Sequence, residues 1–165
     1  MLGVADTTPL NYLVVIGYIY LLPTLFEQVL IPPTVWAELQ DPNAPESVRQ
    51  WIRQPPSWLE VRFVPIMIDP SLTFLDAGEQ EAITLAEQVH ADKVLLSEAD
   101  ARREAARRQL AVAGTLGILR EGARRNLLDL PTVLGALQRT SFFISSHLIQ
   151  PLLEEDAEWE RQRRP

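Results

Sequence analysis

The sequence predicts one α/β domain built on a mainly parallel sheet. Short apolar runs alternate along the chain with segments that carry helix-start signals. The 165 residues are 47% hydrophobic and 22% charged, which is typical of a globular domain that buries its own core. We expect residues 1–152 to form this domain and residues 153–165 to form a charged C-terminal tail.

Five apolar runs are short enough to be strands. They cover residues 2–5, 29–31, 58–64, 93–96 and 112–114. The run at 93–96 is continuously apolar after Lys93, as in a central strand of a parallel sheet. The run at 58–64 alternates instead, which places Leu59, Val61 and Phe63 on one face.

Helix signals lie between and after these strands. Thr7 or Thr8 is expected to cap a helix over 10–16, with Pro9 in its first turn. Asp76 and Glu79 form a capping-box pattern before a helix that runs to residue 88. The other predicted helices cover residues 20–26, 33–39, 46–53, 101–110, 116–128 and much of the last forty residues.

The apolar stretch at 10–26 predicts two buried helices rather than a membrane segment. Asn11 and Thr24 are its only polar residues, but it contains Gly17 and Pro23 and is only seventeen residues long. No Lys or Arg precedes Arg49, so neither a signal peptide nor a positively flanked anchor is indicated. We expect a cytoplasmic protein.

Composition restricts the possible chemistry. The chain has no Cys, which excludes disulfides, thiolate zinc sites, iron–sulfur clusters and cysteine nucleophiles. Its two His residues leave little for a His-rich metal site or a His-based triad. Catalysis would therefore depend on carboxylates, hydroxyls, Arg or a metal ion.

Charge is unevenly distributed along the chain. The net charge of −7 argues against nucleic-acid binding by the whole surface. Residues 1–98 carry 13 acids and 4 bases, whereas residues 99–165 carry 9 acids and 11 bases. This asymmetry suits a metal centre beside a surface that binds a polyanion, although Arg side chains that only solvate helix faces would give the same pattern.

Four acids fall where a parallel sheet places its ligands, beyond the carboxyl ends of the strands. Asp6 follows the first strand, and Glu98 follows the strand that ends at Leu96. Glu38 and Glu81 lie on helices that come after strands. Carboxylates without His or Cys make a hard oxygen site, which suits Mg²⁺ or Mn²⁺ better than Zn²⁺.

Each acid also has a structural interpretation. Asp6 could cap the first helix, Glu38 could be an ordinary exposed helix residue, and Glu98 or Asp100 could complement a helix dipole. Periodicity does not choose between Glu79 and Glu81. The capping box gives Glu79 a structural role, whereas Glu81 is expected to have none.

Five segments stand in a recognisable order. They are Asp6-Thr7-Thr8-Pro9-Leu10; Ile31-Pro32 with Val35-Trp36-Ala37-Glu38-Leu39; Gly78-Glu79-Gln80-Glu81-Ala82-Ile83 with Leu85-Ala86; Leu95-Leu96-Ser97-Glu98 with Ala101-Arg102-Arg103; and Gly114-Thr115-Leu116-Gly117. In order and spacing the chain resembles the PIN-domain superfamily of metal-dependent nucleases, in particular its compact branch near VapC-type toxins. The resemblance implies a three-layer α/β/α fold with a central, mainly parallel sheet of four to five strands.

The resemblance also implies roles for particular residues. The family's four acids, which are catalytic and bind the metal, correspond here to Asp6, Glu38, Glu81 and Glu98. Glu81 is preferred because Glu81-Ala82 followed by Leu85-Ala86 matches the family's helix start. Residues in supporting or fallback positions are Thr7, Thr8, Glu79 and Asp100. The chain departs from the family where Ser97-Glu98 replaces a frequent acid pair, and three of the four acids are Glu.

The implied function is a Mg²⁺- or Mn²⁺-dependent endoribonuclease, the toxin of a type II toxin–antitoxin pair. Its expected partners are RNA, a small antitoxin protein and a second copy of the chain. The RNA backbone would be held by Arg102, Arg103, Arg107 and Arg108, unless these only solvate a helix. The helices at 10–26 could form a dimer face or plain core. The alternative function is a catalytically silent PIN-like module that binds RNA or protein.

Overall fold

A computed structural model describes residues 1–63 and 67–164 of the chain. It contains two compact units, Met1–Thr115 and Leu116–Pro165. The first unit contains the sheet and all the acids predicted to form the site.

The sheet of the first unit is parallel throughout. Among the described residues it has five strands in the order β3-β2-β1-β4-β5. Their bounds are β1 Leu2–Ala5, β2 Gln28–Ile31, β3 Leu59–Val61, β4 Lys93–Leu95 and β5 Val112–Ala113. Val4 in the central strand pairs with Leu30 on one side and with Val94 on the other. The predicted α/β class with a mainly parallel sheet is confirmed.

Helices connect these strands, because parallel neighbours need a crossover between them. They are α1 Thr7–Val15, α2 Leu21–Leu25, α3 Pro33–Leu39, α4 Glu46–Ile52, α5 Ala77–Gln88 and α6 Ala99–Arg107. A short 3₁₀ turn, Pro70–Leu72, precedes α5. The helices flank the central sheet, as the predicted PIN-like architecture requires.

The core fixes helix α5 against the sheet. Val4, Leu30 and Val94 of the three central strands form one buried cluster with Ile83 and Ala86 of α5. Each of these side chains is almost wholly removed from water, which stabilises the fold by roughly 25 cal/mol per Å² of apolar surface. This packing holds the first turn of α5 next to the sheet edge where Asp6 lies.

The apolar stretch at 10–26 is largely core, one of its two predicted roles. Leu10, Leu13, Leu21 and Leu22 are fully buried, whereas Tyr20 remains exposed. None of the helices in the described ranges has the length and apolarity needed to cross a membrane.

Two sequence predictions about the first half of the chain were wrong. Neither Thr7 nor Thr8 caps α1, because Asp6 occupies the N-cap position and the helix already begins at Thr7. Phe63 does not face the core with Leu59: it is 78% exposed. Strand β3 ends at Val61, so strand alternation no longer governs position 63. The predicted strand extended to Val64, which lies outside the described residues.

Two helices end earlier than predicted, and each is followed by a residue with a left-handed backbone conformation. Helix α6 ends at Arg107, and Gln109 then has a φ of 62°. In the second unit, α7 ends at Arg124, and Asn126 has a φ of 59°. A residue with positive φ cannot continue a right-handed helix, so each helix has ended before it.

The second unit is helical. Helix α7, Thr115–Arg124, begins at the last residue of the first unit and is followed by α8 Leu130–Gln138 and α9 Ser146–Arg163. The Arg124 guanidinium pairs with Glu155 and lies 5.6 Å from the centre of the Trp159 ring, which joins α7 to α9. The segment predicted as a charged tail is thus helical as far as residue 163.

Candidate active site

The carboxyl ends of three adjacent strands gather polar residues at one edge of the sheet. Asp6 follows β1, Ser97 follows the buried run of β4, and Thr115 comes shortly after β5. The Asp6 amide donates to the Leu95 carbonyl at 3.0 Å, which ties the end of β1 to β4. Because β1, β4 and β5 are parallel neighbours, these residues share the edge at which parallel sheets place their ligands.

Asp6 is a buried acid in an unfavourable electrostatic environment. Its residue is only 5% exposed, and its carboxylate makes no capping hydrogen bond to helix α1. Burial raises the pKa of Asp6 to about 7; the Thr7 amide opposes this shift, and the carboxylates of Asp76, Glu79 and Glu38 reinforce it. The Asp6 carboxylate would therefore be stabilised by a bound cation.

Glu38 meets Asp6 at the start of helix α5. It lies in the last turn of α3, is half-buried rather than fully exposed, and accepts a hydrogen bond from the Thr7 hydroxyl. A Cβ atom on Gly78 would lie 2.9 Å from Asp6 Oδ1 and 3.3 Å from Glu38 Oε2. The two carboxylates thus occupy space that any side chain at Gly78 would fill.

Glu79 is the third acid beside Asp6. It is only 4% exposed and completes the predicted capping box, with 2.8 Å from its amide to Asp76 Oδ1 and 3.1 Å from the Asp76 amide to Glu79 Oε2. Burial raises the pKa of Glu79; the Asp76 amide lowers it, and the carboxylates of Asp76, Glu98 and Asp100 raise it further. Glu79 therefore interacts with the acid that follows β1 and with those that follow β4.

Glu81 has a different environment. Its Oε2 accepts a hydrogen bond of 3.0 Å from the Thr34 amide, in the first turn of α3. The N-cap residue of that helix is Pro32, which has no side-chain acceptor to offer. The expectation that Glu81 has no structural role is therefore wrong.

Glu98 and Asp100 lie at the exposed rim of the site. Glu98 is the N-cap residue of α6 but makes no capping hydrogen bond through its side chain. Asp100, in the first turn of α6, pairs with Arg103. Both acids contribute to the raised pKa of Glu79, and their place as metal ligands stays a prediction.

The acids have no compensating positive charge in the part of the chain that is described. No Lys, Arg or His there forms an ion pair with Asp6, Glu38, Asp76 or Glu79. Equally, across residues 1–63 and 67–164 no three acidic or His side chains are already arranged to hold one ion. Buried carboxylates that repel one another and lack a counter-charge form a donor set that fits a hard divalent cation.

A family model described as a PIN domain matches residues 2–158. The chain belongs to the PIN-domain family. The resemblance seen in the sequence is confirmed, and membership indicates a nuclease-type function. No curated protein matches the chain.

Three Arg residues on helix α6 of this PIN domain, and Arg108 at its C-cap, have different partners. Arg103 pairs with Asp100, and Arg107 pairs with Glu104. Arg108 is 11% exposed at its side chain and serves acceptors on three elements, namely Glu104, Glu87, Asp69 and Ser71. Arg108 therefore links the end of α6 to α5 and to the Pro70–Leu72 turn. The guanidinium of Arg102 packs instead against Gly114.

The structure also bears on the roles of Thr8 and Asp76 of the PIN domain, which the sequence did not decide. The Thr8 hydroxyl makes no hydrogen bond to the site acids within the described ranges, so Thr7 is the threonine that supports Glu38. Asp76 received only a capping role from the sequence, yet its carboxylate also raises the pKa of Asp6. The sequence feature that could have indicated this is the position of Asp76 at the start of α5, the helix that borders the acidic edge of the sheet.

Proposed function

We propose that this PIN domain is a Mg²⁺- or Mn²⁺-dependent endoribonuclease that hydrolyses phosphodiester bonds in RNA. The observation that supports it best is the pair of Asp6 and Glu38 carboxylates around Gly78, at the carboxyl edge of a parallel sheet. Asp6, Glu38 and Glu79 would hold the ion, and Glu98 would complete the set from the rim. Here we assign to Glu79 the third position that the family resemblance assigned to Glu81, because Glu79 is buried near Asp6 and the Glu81 carboxylate already accepts a hydrogen bond from the Thr34 amide.

The residues of the site prepare it for an anionic substrate. A bound divalent ion reverses the local charge, lowers the pKa of water and stabilises negative charge that develops on the phosphate. The Thr7 hydroxyl orients Glu38, and the capping box fixes Glu79 through its hydrogen bond with the Asp76 amide. Because the pKa of Asp6 is about 7, binding of the ion at neutral pH would release a proton from this carboxyl group.

The proposal is tested with a mixed-sequence, single-stranded fluorogenic RNA and purified protein. We expect cleavage with Mg²⁺ or Mn²⁺ and none with chelator. A variant that lacks the Asp6 charge, purified in the same way, detects a contaminating ribonuclease. Equal cleavage with chelator would contradict metal dependence. No cleavage of several RNAs with either metal would favour the silent binding module, which agrees with the absence of a preformed three-acid cluster in the described residues.

Gly78→Ala should weaken the binding of Mn²⁺ by about tenfold or more, since its Cβ would lie 2.9 Å from Asp6 Oδ1 and displace that carboxylate. Gly117→Ala is the matched control, because a Cβ there has no neighbour within 4 Å and Gly117 also lies in a helix. Binding is measured by titration calorimetry on proteins whose far-ultraviolet circular dichroism agrees. Equal affinity in the two variants would show that Asp6 and Glu38 do not hold the ion.

We also propose that the nuclease is the toxin of a type II toxin–antitoxin pair and acts as a homodimer with a small antitoxin as partner. The support is the likeness of its five segments to those of VapC-type toxins. An antitoxin would cover the acidic edge of the sheet at its exposed rim, where Glu98 and Asp100 lie.

A further inference from the structure

Arg102 differs from its neighbours on helix α6 in having no acidic partner. Arg103, Arg107 and Arg108 all form ion pairs within the chain. In the described parts of the chain the Arg102 guanidinium forms neither an ion pair nor a hydrogen bond, and the side chain is exposed. It therefore retains its charge and its full set of donors for a ligand.

This guanidinium nevertheless lies against the backbone at the end of β5. A Cβ on Gly114 would lie 3.1 Å from Arg102 Nη1, 3.4 Å from Cζ and 3.4 Å from the Leu96 carbonyl oxygen. Gly114 directly follows β5, and Leu96 directly follows β4. The absence of a side chain at Gly114 thus lets the Arg102 group lie at the carboxyl ends of these two strands.

Two hydroxyl groups occur at the same strand ends. Ser97 Oγ and Thr115 Oγ1 lie 3.5 Å apart, and Thr115 is only 1% exposed. They follow Leu96 and Gly114; the guanidinium lies beside Gly114, and the Leu96 carbonyl oxygen borders the same space. Strand β4 lies between β5 and β1, so this group is two strands from Asp6, about 10 Å at ordinary strand spacing.

We propose that Arg102 binds a backbone phosphate of the RNA next to the phosphodiester that is cleaved, with the half-buried Ser97 hydroxyl, held by Thr115, as a further donor. A planar guanidinium and neighbouring hydroxyls are groups that proteins use to bind phosphate oxygens. The inference rests on the proposed nuclease function, because it places the reacting phosphate at Asp6. It makes Arg102 a substrate-positioning residue and explains why a glycine follows β5.

The test measures RNA binding separately from cleavage. A fluorescein-labelled single-stranded RNA of mixed sequence is titrated by fluorescence anisotropy against Asp6→Asn protein, which keeps the substrate intact. Adding Arg102→Gln should weaken binding about tenfold and reduce the slope of log K against log salt by about 0.7. Adding Arg103→Gln, which removes an exposed Arg that already has a partner, should change binding less than about twofold.

Two further variants separate phosphate binding from a structural effect. Arg102→Lys keeps the positive charge but loses the planar set of N–H donors of the guanidinium. Its RNA affinity should therefore lie between that of the parent and that of Arg102→Gln. Gly114→Ala should also weaken binding, and combining it with Arg102→Gln should add little, because both act through one guanidinium. Equal RNA affinity in the Arg102→Gln and Arg103→Gln proteins, or no RNA binding by the Asp6→Asn parent, would overturn the inference. Failure of the wild-type chain to cleave, with the Arg102 effect intact, would instead overturn the proposed function alone.

Discussion

Replacing Asp6 by Asn should lower the rate of RNA cleavage by about a hundredfold or more and, in the same protein, raise the Tm measured in chelator above neutral pH. Cleavage falls because the variant loses a carboxylate that holds the ion, and such an ion contributes several kcal/mol to catalysis. The Tm rises because the wild-type carboxylate is buried among Asp76, Glu79 and Glu38 without a counter-charge.

The pH dependence of this effect follows from the direction of the shift. The folded-state pKa of Asp6 is about 7, above its ordinary value of 3.8. Its contribution to stability is therefore fully present below about pH 4 and is lost as the pH rises through 7. The difference at higher pH is on the order of 4 kcal/mol, so metal-free wild-type protein should become less stable between these limits. Asp6→Asn should reduce that slope, and the raised pKa of Glu79 should preserve part of it.

Thermal melts at a series of pH values, with and without Mn²⁺, measure both effects. Asp41→Asn is a suitable control, because Asp41 is exposed in the loop after α3 and Asn can still accept from the Asn43 amide. Mn²⁺ should raise the Tm of the wild type and of Asp41→Asn much more than that of Asp6→Asn. An Asp6→Asn protein that cleaves RNA at the wild-type rate would show that Asp6 does not hold a required ion. One that loses as much stability as the wild type while the pH rises to 7 would show that the Asp6 carboxylate is not the destabilising group.

Glu79→Gln should lower the cleavage rate about a hundredfold, whereas Glu81→Gln should leave it within about threefold of wild type. Gln keeps the carbonyl acceptor that each residue uses, toward the Asp76 amide at position 79 and toward the Thr34 amide at position 81. The two variants therefore remove one charge each from the same helix with little loss of hydrogen bonding. The difference between them reports which charge the ion requires.

Mn²⁺ titration calorimetry on both variants gives a readout that does not depend on cleavage. Affinity should fall in Glu79→Gln and persist in Glu81→Gln. The reverse result, with Glu81→Gln inactive and Glu79→Gln active, would return the third position to the acid that the family resemblance selected. Equal loss in both would mean that the helix start supplies two ligands rather than one.

The arginines at positions 102, 103, 107 and 108 show what a local sequence pattern can predict about charged residues and what it cannot. The sequence indicated an Arg-rich helix and left RNA binding and solvation open for all four residues alike. Packing against α5 and the Pro70–Leu72 turn gives Arg108 partners that are distant along the chain, whereas Arg102 retains no acidic partner in the described residues. Composition counts charges, but only the fold determines which charges are already neutralised.

The sequence by itself determined the order of strands and helices, the parallel sheet, the capping box at Asp76 and Glu79, and the acids that follow β1 and β4. These features depend on contacts between residues close in the chain or on strand direction, both of which leave a pattern in the sequence. Only the tertiary structure decided that Glu79 approaches Asp6 while Glu81 serves α3. Residues two apart on a helix point about 200° apart, and the packing of that helix against the sheet decides which of the two faces the site.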